Sequence, residues 1–149
     1  MADPPTLTPI SEAIESFRQG RIVIIVDDED RENEGDLTIA AEKVTPEVVN
    51  FMITHGRGML CTPLLPEVCR RLDLAPIVSE NTAPLGTNFT TPIDHRSART
   101  GITAKERART ISALVDPEAL LDRTINYGLF YACHFLNTGK ALAKDILNE

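Results

Sequence analysis

The spacing of apolar residues changes several times along the chain, and each spacing predicts a different element. Near the N-terminus, Thr8 and Pro9 precede apolar residues at helical spacing, and Gly20 follows them. These apolar residues are Ile10, Ala13, Ile14 and Phe17. Threonine caps helices, proline suits the first helical position and glycine ends helices. We therefore predict a helix that Thr8 caps, that Gly20 ends and that packs through one face.

Five consecutive β-branched residues follow this helix, from Ile22 to Val26. A short continuous apolar run is typical of a strand that is buried on both faces. After a polar segment, Leu37 to Ala41 is short and apolar enough to form a second strand. The pattern therefore predicts two strands that hold a connecting loop at both ends.

Capping signals and short apolar runs alternate in the residues that follow. Thr45 with Pro46 predicts a helix that ends at Gly56, and Thr103 with Glu106 forms a capping box that opens another helix. Between these helices the pattern predicts a strand within 58–64, a helix within 66–72, a loop over 75–87 and a strand within 88–91. The chain thus combines helices with short strands.

The composition is that of one domain. The chain has 149 residues, of which 42% are hydrophobic and 25% charged. A chain of this size buries about two thirds of the surface that it exposes when unfolded, so we expect a single soluble domain over residues 1–149. Its three cysteines contain no C-x-x-C pair. An odd number of cysteines without such a pair indicates neither a disulfide framework nor a structural zinc site. It is typical of a protein in the reducing cytosol.

Several classes of partner do not fit this sequence. No basic, aromatic-rich face is readable, so we do not expect binding to nucleic acid. The N-terminal MADPPTLTP lacks the basic start and apolar core of a secretory signal, and the apolar runs are too short to span a bilayer. We therefore expect a cytoplasmic protein without a membrane partner.

The acidity of the chain is concentrated in residues 27–36, DDEDRENEGD, which we call the acidic segment. The formal net charge is -7, and this segment contributes seven acids and one base, or -6, which leaves -1 for the rest of the chain. Two like charges about 4 Å apart repel by roughly 4 kcal/mol at an effective dielectric near 20. We therefore expect solvent, a cation or a ligand to compensate the segment.

Three interpretations of the acidic segment differ in what compensates it. Charge runs are usually solvated turns without a specific function. A calcium loop fits Asp30, Glu32 and Glu34 at its first, third and fifth positions, but it requires a glutamate at the twelfth, where this chain has Ala41. A magnesium or manganese site uses one or two carboxylates plus water and substrate. Arg31 adds a donor fork suited to a phosphate, a carboxylate or sugar hydroxyls, which favours the last interpretation.

Four motifs occur in order along the chain: DDEDRENEGDL, GRGMLCTPL, NFTTPID and RTGITAKERARTI. Together they closely resemble the first part of 3,4-dihydroxy-2-butanone 4-phosphate synthase, an enzyme family of riboflavin biosynthesis. The resemblance runs from about Phe17 to Val115. We therefore divide the chain into a family-like core, 17–115, and a divergent tail, 116–149.

This resemblance implies a fold, a reaction and a partner. The fold is α+β, with a mixed sheet and flanking helices, and the family forms homodimers in which both subunits contribute to each active site. The reaction is that of a lyase, which converts the sugar phosphate D-ribulose 5-phosphate into 3,4-dihydroxy-2-butanone 4-phosphate and formate. The cofactor is Mg²⁺ (or Mn²⁺), with two ions per site.

The resemblance also assigns roles to residues of the acidic segment. Glu32 is a metal ligand, and Arg31 and Glu32 contact the sugar. Asp36 contacts substrate hydroxyls and Glu34 shapes the same loop, and both are candidate catalytic residues. The reaction begins when a proton next to the ketose carbonyl is removed to give an enediol, so carboxylates close to the sugar have a chemical task.

Two further candidates lie outside the acidic segment. The resemblance puts Cys61 close to the bound sugar, as a catalytic candidate, although a lone cysteine is often a small buried hydrophobe. It also puts Thr100 near the substrate. The segment 99–101 precedes a capped helix, so its donors could hold an anion. The alternative is an ordinary helix start that Thr103 and Glu106 stabilise.

The remaining histidines and one cysteine have structural interpretations. We expect His55 to cap the end of its helix, His95 to lie in a polar surface turn and Cys69 to belong to the core. We expect His134 to be a partly buried helical residue rather than a metal ligand.

The tail departs from the family pattern. It contains no PGHVFPL segment, which carries a histidine needed for activity, and no RxGHTEA segment, which carries the second metal-ligating histidine and the phosphate contacts. The family's later acid–base glutamate also has no counterpart. Leu142 and Ile146 give a weak helical periodicity, which Gly139 interrupts. The alternative to a working enzyme is therefore an inactive truncated homologue that keeps the loop as a binding or dimerisation module.

Overall fold

A computed structural model describes residues 7–28, 30, 32–84, 86–121 and 124–134. Within them, helices and short strands are mixed along the chain, as expected for the α+β class. The helices are α1 (Ile10–Arg18), α2 (Pro46–His55), α3 (Pro66–Arg71) and α4 (Ala104–Val115). The strands are β1 (Val23–Val26), β2 (Gly35–Thr38), β3 (Cys61–Leu64), β4 (Ile93–His95), β5 (Ile125–Tyr127) and β6 (Tyr131–His134).

The first helix forms where the sequence predicts it, but its N-terminal cap differs. α1 begins at Ile10, Pro9 is its N-cap residue and no side chain caps it, so the prediction that Thr8 caps the helix is wrong. The helix stops before Gly20, whose φ of +72° is a left-handed conformation that glycine adopts readily. No residue of α1 is fully buried.

The predicted strand pair is present as an antiparallel hairpin, but the predicted bounds of the second strand, 37–41, are wrong. β2 begins two residues earlier and ends at Thr38, and Ala41 opens a short 3₁₀ helix, Ala41–Lys43. β1 pairs with β2 from Val23↔Thr38 to Val26↔Gly35, and the loop of the acidic segment joins them. The prediction that β1 is buried on both faces is wrong, because Ile24 is 63% exposed and Val26 is 55% exposed. Burial on both faces requires a layer on each side of a sheet. In the part of the chain that the structure describes, this sheet has two strands, and apolar side chains of β1 face solvent.

The remaining strands form two further pairs. β3 pairs in parallel with β6, and β4 pairs antiparallel with β5. An isolated bridge between Ile93 and Phe130 connects these pairs. The predicted strand at 88–91 is reduced to single bridges at Phe89 and Thr90. Pro63 lies within β3, where it is exposed. Among the described residues, the strands form three two-stranded sheets.

The first part of the tail is folded as strands. β5 and β6 both lie beyond Val115, and β6 completes the parallel pair with β3. The expectation that His134 is helical is wrong, because its backbone is part of β6 opposite Leu64. Long-range pairing with β3 decides this, and no local pattern reports it. The predicted periodicity of Leu142 and Ile146 lies outside the described residues.

α4 supplies much of the hydrophobic core. It packs against α2 and β4 and buries Ala108, Ile111 and Leu114. Thr110 is a buried polar residue of the same helix. Its hydroxyl donates to the Glu106 carbonyl at 3.0 Å and accepts from the His95 amide at 2.9 Å. Both hydrogen bonds offset the cost of burying the hydroxyl, and the second ties β4 to the helix.

The ends of α2 and α4 show how side chains satisfy helix termini. The predicted caps are confirmed: Thr45 accepts from the Val48 amide, and Thr103 with Glu106 forms a capping box. The C-terminus of α4 has no basic residue in its last turn. Arg71 supplies that charge, since its guanidinium donates to the carbonyls of Asp116, Pro117 and Ala119 at 2.8 to 2.9 Å.

Within the described ranges, none of the helices is long and apolar enough to cross a membrane.

Candidate functional site

Backbone amides compensate part of the acidic segment. One carboxylate oxygen of Asp27 accepts from the Asp28 amide at 2.8 Å and the other from the Glu32 amide at 3.1 Å. Asp28 in turn accepts from the Asp30 amide at 3.0 Å. The loop closes through a hydrogen bond of 3.0 Å from the Asp27 amide to the Glu34 carbonyl. Some acids of the segment therefore shape the loop rather than face a ligand.

The predicted residues of the loop lie in different settings. Glu32 is partly buried, whereas Glu34 and Asp36 are exposed. Asp36 lies in β2 opposite Ile25. Arg31 lies outside the described residues. Over the described ranges, no three acidic, histidine or cysteine side chains converge on a point that could hold a metal. The donor chemistry still suits Mg²⁺, which takes carboxylate oxygens and keeps several waters.

A small cleft joins two of the motifs. Its volume is about 90 Å³, and it lies where the start of β2 meets the segment that leads into β3. Its lining includes Gly35, Asp36, Gly58, Met59 and Leu60. Residues of the acidic segment and of GRGMLCTPL therefore face the same space, although more than twenty residues separate them in the sequence.

Cys61 follows this cleft in the chain and has a partner that the sequence does not indicate. The Cys133 thiol hydrogen-bonds to Cys61, which lowers the pKa of Cys61, while burial and the negative charge of Asp36 raise it. The same hydrogen bond and burial raise the pKa of Cys133. The two thiols are therefore partners, and the pKa of Cys61 is the lower of the two. Asp36 is thus close enough for its charge to act on Cys61.

Thr100 belongs to a separate arrangement at the start of α4. Its hydroxyl donates to Glu106 at 3.2 Å, and the Arg99 amide donates to the same carboxylate at 2.7 Å. The hydroxyl and amide of Thr103 also donate to Glu106. These donors, with the Arg99 amide first, lower the pKa of Glu106 to about 2. The donors of Arg99 and Thr100, which could have held an anionic ligand, therefore bind the Glu106 carboxylate instead. This arrangement agrees with the interpretation of the segment as an ordinary helix start.

The loop before α4 is also held by Asp94, which sequence reasoning did not single out. Its carboxylate accepts from the Leu129 amide at 3.0 Å. The same carboxylate lies against both Gly101 and Gly128, where a Cβ atom would collide with it. Gly101 has a φ of +69°, which also favours glycine. Asp94 thus packs the segment that carries Thr100 against the turn between β5 and β6.

One concavity is apolar and is distinct from the acidic loop. We call it the apolar groove; it has a volume of about 530 Å³. Its apolar lining includes Phe17, Ile25, Leu37, Leu65, Val68 and Val115. Cys61 also lines it, so the groove reaches the candidate site at one end. A lining of this kind does not suit a sugar phosphate, whose charge needs polar partners.

For the cysteine and the histidines that were predicted to have only structural roles, some predictions are confirmed and others are wrong. Cys69 is buried, as expected. His55 is the last residue of α2 and its ring contacts Phe51, with 4.6 Å between centroids. The expectation that His95 lies in a surface turn is wrong, because it ends β4 and is partly buried. Burial and then the charge of Arg109 lower the pKa of His95.

Comparisons with known proteins give concordant matches. A family model described as 3,4-dihydroxy-2-butanone 4-phosphate synthase matches residues 11–130. Riboflavin biosynthesis protein RibBA of Bacillus velezensis is 56% identical over 114 residues, which cover 76% of this chain and 29% of that protein. The protein of the same name from Aquifex aeolicus is 54% identical over 113 residues, covering 74% of this chain and 28% of that protein. The chain thus spans less than a third of these relatives.

Solved structures agree with the sequence matches. A 3,4-dihydroxy-2-butanone 4-phosphate synthase in complex with two magnesium ions superposes with a TM-score of 0.85 at 35% identity, covering 94% of this chain and 66% of that chain. RibBX, a two-domain 3,4-dihydroxy-2-butanone 4-phosphate synthase from A. baumannii, superposes with a TM-score of 0.80 at 41% identity. That match covers 85% of this chain and 38% of the other.

Proposed function

Because the chain belongs to the 3,4-dihydroxy-2-butanone 4-phosphate synthase family, we propose that it acts in riboflavin biosynthesis as a lyase on D-ribulose 5-phosphate. The products are 3,4-dihydroxy-2-butanone 4-phosphate and formate. The observation that carries this proposal is the meeting of two family motifs in one cleft, where Asp36 faces the segment that leads to Cys61. We further propose a cytoplasmic homodimer as the working form.

The proposal assigns the divalent cation to the acidic loop. Glu32 is the proposed ligand, and the neighbouring carboxylates offer the oxygen donors that Mg²⁺ or Mn²⁺ prefers. The structure of a family member in complex with two magnesium ions supports this choice of metal. When bound, the cation supplies positive charge next to oxyanions that develop on the sugar.

The side chains of the site divide the remaining tasks. Arg31 and Glu32 orient the sugar, and Asp36 accepts hydrogen bonds from its hydroxyls. The first step transfers a proton from the carbon next to the ketose carbonyl to a carboxylate, for which Glu34 and Asp36 are the candidates. It leaves an enediolate, which becomes the enediol when its oxygen takes up a proton. Cys61, which follows the cleft residue Leu60 in the chain, is proposed as a polarisable group at the edge of the site. Thr100 is proposed to contact the substrate from the start of α4.

The alternative function is that of a binding module, which uses the same acidic loop but does not catalyse the reaction. The tail lacks the histidine-bearing segments expected of the family, while the hairpin and its hydrogen-bonded loop are formed. An inactive homologue would retain binding of metal and sugar phosphate, or pair with an intact subunit. The two functions share their ligands and differ in whether formate is released.

Formate release from D-ribulose 5-phosphate with Mg²⁺ tests the lyase directly. We expect the purified chain to release formate and Glu32→Gln to reduce the rate by at least about tenfold, because changes around a metal site commonly cost ten- to hundredfold in affinity or activity. Glu12→Gln is the matched control, since Glu12 is an exposed carboxylate on α1 outside the loop.

Calorimetry with Mg²⁺, with and without the sugar phosphate, separates the two functions. Binding that depends on Glu32 without any formate would favour the binding module. If the chain neither releases formate nor binds Mg²⁺ in the presence of the sugar phosphate, both proposals are wrong.

A further inference from the structure

Asp94 has a carboxylate that its surroundings only half satisfy. Its Oδ2 atom accepts from the Leu129 amide at 3.0 Å. Its Oδ1 atom is buried and has no hydrogen-bond partner among the residues that the structure describes. A buried carboxylate oxygen without a donor costs free energy, which offsets the gain from the first hydrogen bond. Net stability therefore explains this carboxylate poorly, and the geometry around it explains it better.

Two glycines from distant parts of the chain enclose the same carboxylate. A Cβ atom at Gly101 or at Gly128 would collide with Asp94. Gly101 belongs to the segment before α4, and Gly128 lies in the turn between β5 and β6. Because both backbones approach the carboxylate so closely, a shift of the turn moves the carboxylate, and a shift of the carboxylate moves the segment.

Asp94 has a fixed support on the strand that carries it. β4 pairs with β5, and the Thr110 hydroxyl of α4 accepts at 2.9 Å from the amide that follows Asp94 in the chain. Glu106 holds the same segment from the helix, since its carboxylate accepts from the Arg99 amide at 2.7 Å. Two carboxylates, one from β4 and one from α4, therefore hold the segment 99–101.

We propose that Asp94 is a positioning residue, whose carboxylate couples the turn between β5 and β6 to the segment 99–101 and thereby sets the place of Thr100. The consequence for the substrate rests on the proposed function, in which Thr100 contacts the sugar phosphate. The coupling itself is a property of the fold. It makes the tail part of the surroundings of Thr100, because Gly128 and Leu129 both belong to the tail.

Amide hydrogen exchange measured by NMR tests the coupling without any ligand. In Asp94→Ala we expect the Leu129 amide to exchange at least about tenfold faster, because it loses a hydrogen bond to a charged group. The Arg99 amide should also exchange faster, although its own partner is unchanged. The Thr90 amide, which donates to β6 at 2.9 Å, should keep its rate. Asn126→Ala is the matched control, because Asn126 is exposed and lies opposite Asp94 in the strand pair.

Two further variants extend the test and replace Asp94→Ala if that variant does not fold. Asp94→Asn retains an oxygen that can accept from the Leu129 amide and fills the same space, so the exchange rates should stay close to those of the parent. Gly128→Ala presses a Cβ atom against the carboxylate and should accelerate exchange at Arg99. Gly58→Ala is its control, since the nearest atom beyond the chain neighbours of that Cβ is 3.9 Å away.

Calorimetry with D-ribulose 5-phosphate and Mg²⁺ tests the consequence for the substrate. Asp94→Ala should raise the Kd about fivefold or more, within the usual range for coupling between two sites. In a chain that already carries Thr100→Val, the same substitution should add little, because the residue through which Asp94 acts has lost its hydroxyl. Additive losses would show that Asp94 does not act through Thr100.

Two exchange results would overturn the proposal. Faster exchange at Leu129 with an unchanged rate at Arg99 would show that the turn and the segment are not coupled. Equal acceleration at Leu129, Arg99 and Thr90 would give Asp94 a general role in stability and no positioning role. A parent chain that does not bind the sugar phosphate would contradict the proposed function alone, since the exchange experiment needs no ligand and still decides the coupling.

Discussion

Glu106 illustrates how one side chain can settle an ambiguity that the sequence leaves open. Its carboxylate accepts hydrogen bonds from the Arg99 amide, the Thr100 hydroxyl and both donors of Thr103. The same donors would serve an anionic ligand, and the local sequence cannot say which acceptor they choose. The geometry selects the internal carboxylate, because the capping box brings Glu106 back to the start of its own helix.

The lowered pKa of Glu106 predicts a pH dependence of stability. The pKa falls from an ordinary value of 4.5 to about 2 in the folded protein. The ionised carboxylate therefore stabilises the fold fully above pH 4.5, and this contribution is lost as the pH falls towards 2. We expect Glu106→Gln to lower the melting temperature at pH 7, and the difference from the parent to shrink as the pH falls.

Thermal unfolding between pH 7 and pH 2 measures this difference. Glu118→Gln is the control, because Glu118 is an exposed carboxylate beyond the end of the same helix. A gap between Glu106→Gln and the parent that stays constant down to pH 2 would contradict the assigned cause.

At the scale of elements, the ends of α4 are satisfied by groups of different origin. The N-terminal cap comes from the helix itself, and a sequence pattern predicts it. The C-terminal partner is Arg71, the last residue of α3. Its guanidinium binds the Asp116 carbonyl, which lies more than forty positions later in the sequence. A guanidinium is suited to this place because it offers several donors and opposes the negative end of the helix dipole.

Removal of this guanidinium should weaken the packing of α3 against α4. We expect Arg71→Ala to reduce the free energy of unfolding by about 1.5 to 3 kcal/mol, because hydrogen bonds to charged groups contribute in that range. Chemical denaturation measures the change. Arg70→Ala is the matched control, since Arg70 is its exposed neighbour. Equal losses in the two variants would show that the carbonyl contacts are not the reason.

At the scale of the whole molecule, the core and the hairpin differ in how well they are covered. Leu72, Ile93 and Leu114 are fully buried around α4, whereas β1 and α1 expose apolar side chains. The candidate site lies between these regions, because the acidic loop belongs to the hairpin and Cys61 belongs to β3. We infer that the hairpin side is the part whose packing depends most on additional segments or partners.

The core makes a prediction that is independent of function. Leu72→Ala should lower the free energy of unfolding by about 2 to 5 kcal/mol, the usual cost of losing a buried leucine together with the cavity that it leaves. Leu129→Ala, at a residue that is 56% exposed, should change it far less. Denaturant titrations of both variants make the comparison, and similar losses would contradict the assignment of Leu72 to the core.

The sequence by itself determined the local elements that carry their own signals and the presence of an acidic loop that joins two strands, although the second strand begins within the acidic segment. Thr45 and the Thr103–Glu106 pair predicted helix starts correctly, because a cap acts over three or four residues. The four motifs also predicted the family, which the matches confirm. The roles of Arg31, Glu32 and the other predicted site residues stay predictions.

Only the tertiary structure decided which surfaces are covered and which distant residues meet. It left β1 exposed, paired β6 with β3 and brought Cys133 to Cys61, and no local pattern indicates any of these. The physical reason is that burial and strand pairing depend on contacts between residues far apart in the chain. A run of β-branched residues such as 22–26 predicts an apolar strand, but whether that strand is buried depends on the layers that pack against it.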